Sequence, residues 1–300
     1  MCTMKILLYN LRFNTFYSIF DVLRIEQLNK YAPDVYFTTD RNLINEADVV
    51  LFNLPHLGFH LQEKIVKQPG QIWVGWNLEC EKNYPWLLSK EIDALIDIWM
   101  TYHPDSDVPI PYLNDTFIEK LAIPAPNTHP KDVCMFISSP VNQSHRIEYL
   151  NELMKYLPID SYGKLFHNTD LANDTGYKTK QRILSEYKFT ISFENALYDD
   201  YVTEKFYDPL LAGSVPVYLG APNIDTFSPG NNAFVNVRNY PNPADLAAFL
   251  QGYCTRQKPL DDFFQWKNQP FNPALIEIAQ TQAIHPFERL ISKINDCKFY

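Results

Sequence analysis

Residues 187–220 read YKFTISFENALYDDYVTEKFYDPLLAGSVPVYLG. The alternating apolar run Tyr187–Phe193 predicts a buried strand, and the polar pair Glu194-Asn195 follows it directly. A second apolar run, Val215–Leu219, predicts another strand. Polar residues directly after a strand indicate a ligand site, because open α/β sheets bind their ligands at the carboxyl ends of the strands.

A helix is predicted between these two strands. Thr203 suits its N-cap, and Glu204 and Lys205 occupy its first turn. Gly213 ends the helix, while Pro209 falls inside it and should kink or shorten it. Because a helix N-terminus carries partial positive charge, this one, with a lysine beside it, suits a bound diphosphate.

The composition excludes several classes of protein. A net charge of −9 and a pI of about 5.3 argue against a nucleic-acid binder. The five cysteines are odd in number and form no CxxC pair, which favours reduced thiols and no zinc site. The sequence contains no run of about 18 apolar residues, so it predicts no transmembrane helix. The N-terminus lacks the pattern of a signal peptide.

Strand and helix patterns alternate along the whole chain. Further strands are predicted over Lys5–Tyr9, Val35–Thr38, Asp48–Asn53, Ile72–Leu78, Ile98–Thr101, Val133–Ser138, Asp160–Gly163 and Ala233–Val237. Further helices are predicted over Ser18–Lys30, His60–Lys67, Trp86–Leu95, Ser144–Tyr156, Gln181–Glu186, Pro243–Cys254 and Asn272–Ile294. Because a proline-rich stretch interrupts the alternation between Asp105 and Lys131, we predict two doubly wound α/β domains, 1–125 and 126–300, that face a cleft.

The same stretch carries a family resemblance. Phe193-Glu194-Asn195, Tyr201–Lys205 and Leu211–Val217 together resemble the donor-binding signature of the α1,3/4-fucosyltransferases. The resemblance implies the two-domain GT-B architecture and GDP-fucose as the donor. It is closest in character to a compact enzyme of the bacterial type, since the chain shows neither the membrane anchor of animal members nor the heptad repeats of some bacterial ones.

The resemblance implies six donor-binding residues: Arg146, Glu194, Asn195, Tyr201, Glu204 and Lys205. Arg146 is predicted to begin a helix after a strand and a loop, and a guanidinium there can fork onto phosphate oxygens. For Glu194, a structural role such as capping a loop is an equal alternative to a direct contact.

Glu79 is the candidate general base. It follows an apolar strand, within Trp76-Asn77-Leu78-Glu79, which resembles the N-[FL]-E segment whose glutamate is the base in the family. The alternative is a solvated glutamate at a strand end, and Glu81 is expected on the loop surface. Asp105-Ser106-Asp107 resembles a family segment that is not a metal site, so no cofactor is expected; a DxD pattern that holds Mn²⁺ is the alternative.

The resemblance implies an inverting enzyme that moves L-fucose from GDP-fucose to the 3-OH of N-acetylglucosamine in an oligosaccharide such as N-acetyllactosamine. The 4-OH is the alternative position. Domain 1–125 would bind the acceptor and domain 126–300 the GDP-fucose, in the cytoplasm, with peripheral attachment to the inner membrane left open. Two other interpretations are a transferase with a different nucleotide-sugar donor and a non-catalytic relative that binds nucleotide or carbohydrate.

Overall fold

The computed structural model describes residues 3–10, 28, 32–59, 65–124, 129–254 and 259–297. The predicted helix Ser18–Lys30 lies outside these residues apart from Leu28, as do residues 60–64 of the predicted helix His60–Lys67. The chain divides into two compact units, one of Met1–Asp115 with Thr281–Tyr300 and one of Thr116–Gln280.

Each unit contains a five-stranded sheet in which every pair of neighbouring strands is parallel. The strands of the first unit are β1 (Met4–Leu8), β2 (Val35–Thr38), β3 (Val49–Asn53), β4 (Ile72–Asn77) and β5 (Ile98–Thr101). Those of the second are β6 (Lys131–Met135), β7 (Asp160–Ser161), β8 (Tyr187–Phe193), β9 (Val215–Leu219) and β10 (Val235–Asn236). The sheets have the orders β2-β1-β3-β4-β5 and β10-β9-β8-β6-β7, which are the same doubly wound order when strands are numbered within each unit.

The described residues form α1 (Lys90–Asp93), α2 (Phe117–Leu121), α3 (Arg146–Leu153), α4 (Tyr177–Leu184), α5 (Glu204–Ala212), α6 (Pro243–Cys254), α7 (Pro273–Gln280) and α8 (Pro286–Cys297). Short 3₁₀ helices cover Arg41–Leu43, Leu54–Phe59, Glu81–Asn83, Pro85–Leu88, Ile224–Thr226, Val237–Asn239, Asp261–Phe263, Gln265–Asn268 and Thr281–Ala283. Among the described helices, none has the length and apolar character needed to cross a membrane.

The ten predicted strands are confirmed, four of them with the predicted bounds. They could be identified because strands of parallel sheets are covered on both faces and are therefore apolar along most of their length. In β8, six of the seven residues are buried, and Phe189, Ile191 and Phe193 belong to the core of the second unit.

The helical pattern predicted over Asn272–Ile294 divides into α7, a 3₁₀ turn and α8. Pro286 is the first residue of α8, where its missing N–H costs nothing. Residues 281–300 belong to the first compact unit.

The position of α8 follows from its amphipathic sequence. Phe287 is buried and its ring centroid lies 5.9 Å from that of Phe37 and 6.1 Å from that of Trp76, both in the first unit. Arg289 donates from Nη1 to the carbonyl of Pro109 at 2.7 Å. The apolar face of α8 therefore completes the core of the first unit.

Of the two predicted effects of Pro209, a kink or a shorter helix, the second does not occur, since α5 continues through it from Glu204 to Ala212. The proline removes a single helical hydrogen bond, which would have ended on the carbonyl of Lys205. The helix ends at Gly213, as predicted, with φ +81°, and the N–H of Ser214 donates to the carbonyl of Pro209 at 2.9 Å.

Candidate active site

Glu79 lies at the carboxyl end of the first sheet, two residues beyond the last residue of β4. Its N–H donates to Oδ1 of Asn77 at 2.9 Å, and the hydroxyl of Tyr112 donates to the carbonyl of Leu78 at 2.5 Å. These two contacts fix the turn that carries Glu79, whose side chain is half-buried. Burial raises the pKa of Tyr84, and the nearby Glu79 carboxylate raises it further.

Glu81 was expected on the loop surface, and this prediction is wrong. The residue is only 7% exposed. Its carboxylate accepts hydrogen bonds from Nδ2 of Asn77 at 3.2 Å and from the hydroxyl of Tyr102, and it lies 3.2 Å from Nε2 of His103. A 3₁₀ turn that begins at Glu81 directs the chain back over the sheet. Tyr102 and His103 follow the neighbouring strand β5, and so the cluster joins the ends of two strands.

Asp107, the second acid of the DxD pattern, has a structural environment in the first unit. Its Oδ2 accepts from the N–H of Trp99 at 2.9 Å, and its Oδ1 lies 2.9 Å from Nζ of Lys293. The side chain of Ser106 donates to the carbonyl of Thr101 at 3.4 Å. These contacts anchor the chain beyond β5 to the strand and to α8.

Glu194 lies in the second unit, directly after β8, and its side chain is fully buried. The carboxylate accepts from the N–H of Thr203 at 2.8 Å and from its hydroxyl at 2.9 Å. Thr203 in turn is the N-cap of α5 and accepts from the N–H of Lys205 at 3.4 Å, as predicted. Burial raises the pKa of Glu194 against the opposing influence of Lys205. Of the two predicted roles of Glu194, these contacts match the structural one.

The ammonium group of Lys205 lies among three side-chain oxygens at the N-terminus of α5. Nζ lies 3.1 Å from the hydroxyl of Thr203, 3.1 Å from Oε1 of Glu204 and 3.5 Å from Oε2 of Glu194. Burial acts to lower the pKa of Lys205, but Glu204 and Glu194 outweigh it and the pKa is raised. Burial likewise acts to raise the pKa of Glu204, but Lys205 and then Lys180 outweigh it and lower the pKa to about 2. The ion pair is therefore charged across the physiological range.

A second ion pair adjoins this one and was not predicted. Nζ of Lys180, on α4, lies 2.6 Å from Oδ2 of Asp208 on α5, and Asp208 is only 5% exposed. Lys180 precedes the signature and lies in a mostly polar helix, so no sequence pattern distinguishes it from a solvated lysine. Its charge lowers the pKa of Glu204 and thereby connects α4 to the site.

Arg146 begins α3, as predicted, and its guanidinium contacts backbone carbonyls. The side chain is fully buried, and it donates to the carbonyls of Phe193 at 2.9 Å, Ser139 at 2.8 Å and Val141 at 3.1 Å. Nε has no acceptor within the described residues. Burial lowers the pKa of Arg146, while Glu194 opposes the shift. The arginine thus joins the loop after β6 to the end of β8.

Asn195 and Tyr201 border the loop between β8 and α5, and both are buried. The carbonyl of Asn195 accepts from the N–H of Ser144 at 3.1 Å, and the carbonyl of Tyr201 lies 3.4 Å from the hydroxyl of Tyr218. Gly220 is required at the adjacent strand end, because a Cβ there would lie 2.1 Å from the hydroxyl of Tyr218. The loop is therefore packed closely against the ends of β8 and β9.

The two sheet ends differ in chemistry. The end of the first sheet offers the carboxylate of Glu79, which suits proton abstraction. The carboxyl end of the second sheet has the N-terminus of α5, with Lys205 in its first turn and the buried guanidinium of Arg146 nearby. This arrangement suits an anion.

Two family models match the chain. Residues 126–300 match the model described as glycosyltransferase family 10 (fucosyltransferase) C-term, and residues 3–113 match the model described as fucosyltransferase, N-terminal. Solved structures of similar fold include an α1,3-fucosyltransferase with GDP-fucose, with a TM-score of 0.59 and 17% identity over 95% of this chain and 90% of that one. An α1,3-fucosyltransferase with GDP has a TM-score of 0.59 and 15% identity over 97% of this chain and 90% of that one. The predicted GT-B fold is confirmed.

Curated relatives include the human 4-galactosyl-N-acetylglucosaminide 3-alpha-L-fucosyltransferase 9, which is 33% identical over 236 residues. This region covers 77% of the chain and 64% of the relative, so the chain spans less than two thirds of that protein's length. A second relative, the GDP-fucose protein O-fucosyltransferase 3 of Xenopus tropicalis, is 39% identical over 130 residues, which are 41% of this chain and 28% of the relative.

Proposed function

Because the chain belongs to glycosyltransferase family 10, the fucosyltransferases, we propose that it transfers L-fucose from GDP-fucose to a sugar hydroxyl with inversion at the anomeric carbon. The proposed acceptor is the 3-OH of N-acetylglucosamine in an oligosaccharide such as N-acetyllactosamine. This choice of acceptor is supported by the relatives, one of which is a fucosyltransferase that acts on a galactosylated N-acetylglucosamine. The observation that carries the proposal is the position of Lys205, a partly exposed lysine in the first turn of α5 beside the helix N-terminus.

Glu79 is the proposed general base. It removes the proton of the acceptor hydroxyl as the oxygen attacks the anomeric carbon of fucose from the side opposite the diphosphate. The bond between that carbon and the phosphate oxygen breaks, and its electron pair leaves with GDP. The half-buried carboxylate on a turn fixed by Asn77 and Tyr112 fits this role, since a base must be both accessible and held in place.

Lys205 is the proposed ligand of the diphosphate. Its side chain is 23% exposed and its ammonium group remains charged, and a phosphate oxygen can replace Glu204 as one of its acceptors. Positive charge at this point stabilises the leaving group as negative charge develops on it. We assign Glu204, Tyr201 and Asn195 to the donor pocket on the resemblance of their positions to the family signature.

Arg146 and Glu194 have positioning roles in this proposal. Arg146 holds the loop after β6 against the end of β8 through three carbonyls, and its buried charge adds to the positive potential beneath the diphosphate. Glu194 accepts two hydrogen bonds from Thr203 and so holds the N-terminus of α5 in place. Neither side chain is open to a ligand, since both are fully buried.

We propose that the reaction needs no metal ion. The role of a divalent cation in neutralising the diphosphate is taken by Lys205, by Arg146 and by the N-terminus of α5. Asp107, which a metal site of the DxD type would require, is instead committed to Trp99 and Lys293.

The test is release of GDP from GDP-fucose in EDTA, with and without N-acetyllactosamine. Release that depends on the acceptor supports both the transfer and its independence of metal. GDP binding without release on this acceptor would contradict the assigned acceptor, and a serine- or threonine-containing peptide is then the next acceptor to try, given the protein O-fucosyltransferase among the relatives. Absence of GDP binding would overturn the donor site itself.

We also propose that the protein works in a reducing compartment. Cys80 and Cys134 are free, buried thiols, and burial raises the pKa of each to about 12. Free thiols are typical of proteins in reducing compartments, where disulfides are rare. Mass spectrometry of the protein alkylated under denaturing conditions tests this: both thiols should be labelled without reductant, and a disulfide at either would contradict the proposal.

A further inference from the structure

We infer that Glu81 is a positioning residue for Glu79 and acts through the side-chain amide of Asn77. The inference rests on the proposed role of Glu79 as the base. The contacts of Glu81 with Asn77, Tyr102 and His103 lie within the first unit. There the ends of β4 and β5 are neighbours in register, with Asn77 opposite Thr101.

The amide of Asn77 connects the two glutamates. Its Oδ1 accepts the N–H of Glu79 at 2.9 Å, while its Nδ2 donates to Oε1 of Glu81 at 3.2 Å. Both carboxylate oxygens of Glu81 face donors, so Glu81 selects the amide orientation that directs Nδ2 of Asn77 towards itself. Oδ1 is then directed towards the N–H of Glu79, which fixes the turn on which the base is carried.

Glu81 itself is held from the adjacent strand. Tyr102 is 1% exposed and donates its hydroxyl to Oε2 of Glu81, and Nε2 of His103 lies 3.2 Å from Oε1. The rings of Tyr102 and His103 are stacked with their centroids 4.2 Å apart, which fixes both donors. Buried polar groups that are fully hydrogen-bonded in this way are rigid and specify one arrangement.

Displacement of a catalytic group by about 1 Å can cost a factor of about 100 in rate. A glutamine at position 81 offers a donor as well as an acceptor, so it no longer selects one orientation of the Asn77 amide. The turn loosens without the removal of any group that touches the substrates. The expected signature is therefore a loss of kcat with unchanged donor binding, since the donor residues belong to the second unit.

The test is the variant Glu81→Gln, which preserves volume. We expect kcat for fucose transfer to fall about 10- to 100-fold while the Kd for GDP stays within a factor of about two of wild type. In a Glu79→Gln background the same substitution should cost nothing further, because the two residues act as one unit. A wild-type kcat in Glu81→Gln, or a full additional loss in the double variant, overturns the inference.

A matched control separates positioning from stability. Gln71 precedes the same strand β4 at its other end, is 5% exposed, and donates to the carbonyls of Ile44 and Ala47 while accepting from Nε1 of Trp73. Gln71→Met should lower the Tm as much as Glu81→Gln does and leave kcat unchanged. If both variants lose kcat in proportion to Tm, Glu81 is structural only and the inference fails.

A milder variant guards against misfolding. Tyr102→Phe removes one donor to Glu81 and keeps the ring, and we expect a smaller loss of kcat than for Glu81→Gln, again with unchanged GDP affinity. Full activity in this variant at wild-type Tm contradicts the inference. A wild-type protein that transfers no fucose at all counts against the proposed function instead, and the two failures are thereby distinguished.

Discussion

The two units have the same strand order but carry different side chains at the carboxyl ends of their strands. In the first unit, Glu79 and Glu81 follow β4. Asn77 forms a hydrogen bond with each of them, and His103 lies beside the carboxylate of Glu81. In the second, the cations Lys180 and Lys205 pair with the carboxylates of Asp208, Glu204 and Glu194, and Arg146 donates to carbonyls after β6 and at the end of β8. The fold thus provides equivalent sites twice, and the residues that directly follow the strands decide whether a site suits a proton acceptor or an anion.

The contrast is clearest at the point where each strand order reverses. Between β1 and β3 of the first unit, Asn10 and Asn53 exchange two hydrogen bonds, of 2.6 and 2.9 Å. Between β6 and β8 of the second, the guanidinium of Arg146 bridges the carbonyls of Ser139 and Phe193. At one switch point the neutral side-chain amide of Asn10 bonds to the backbone of Asn53. At the other, a buried guanidinium bonds to two carbonyls. Ligands in open sheets favour such switch points, and a cation there favours an anionic ligand.

The largest expected effect tests the carboxylate side of this comparison. Glu79→Ala should lower kcat about 10³-fold, because general-base catalysis contributes about 10²- to 10⁴-fold. The Kd for GDP should remain at the wild-type value, since the diphosphate is assigned to the second unit. Acceptor-dependent release of GDP measures the first quantity and isothermal titration calorimetry the second.

Glu91→Ala is the matched control for this experiment, because Glu91 is an exposed glutamate of the first unit, in the first turn of α1. It should leave both quantities unchanged. Turnover near the wild-type rate in Glu79→Ala would remove Glu79 from the mechanism and leave the first unit without its assigned chemistry.

Much of this arrangement could be predicted from the sequence where the signal is local. The apolar runs of ten strands were sufficient, because strands buried on both faces are apolar for most of their length. The N-cap at Thr203 and the helix end at Gly213 were also predicted, since both depend on residues within one turn. The position of Glu79 at a strand end followed from the strand itself.

Contacts between distant segments could not be predicted. Glu81 lies in a polar segment that resembles a surface loop, yet its donors Tyr102 and His103 come from the next strand, 21 and 22 residues away. Arg146 was placed at the start of its helix, but its carbonyl partners depend on how a loop folds over β8. For Lys180 too, the partner lies on another helix, and a single sequence holds no record of such pairings.

The next effect in size tests the cationic side. Lys205→Ala should weaken GDP binding about 10- to 100-fold, because a hydrogen bond to a charged group is worth about 1.5–3 kcal/mol. Titration calorimetry with GDP measures it. Lys155→Ala is the control, since Lys155 is an exposed lysine of the same unit with a single surface partner, Glu152. Unchanged affinity in Lys205→Ala would contradict the assigned diphosphate site.

A smaller effect concerns the dependence of stability on pH. The pKa of Glu204 is lowered from 4.5 to about 2 in the folded protein, so its ionised form stabilises the fold above pH 4.5. This contribution is lost as the pH falls towards 2. The free energy of unfolding of wild type should therefore exceed that of Glu204→Gln most at neutral pH, and the two should converge in acid. Urea unfolding across this range measures the difference, and a gap that does not change with pH would contradict the lowered pKa.

The smallest expected effect separates the cap of α5 from the charges around it. Thr203→Ala removes the hydroxyl that accepts the N–H of Lys205 and donates to Glu194. Loss of an N-cap typically costs about 1 kcal/mol of stability, and here it also leaves the buried carboxylate of Glu194 with one donor fewer. Thr203→Ser keeps the hydroxyl and should restore most of the stability in urea unfolding. If serine and alanine are equally destabilised, the methyl group of Thr203 rather than its hydroxyl supports the helix, and the anion site depends on packing rather than on its cap.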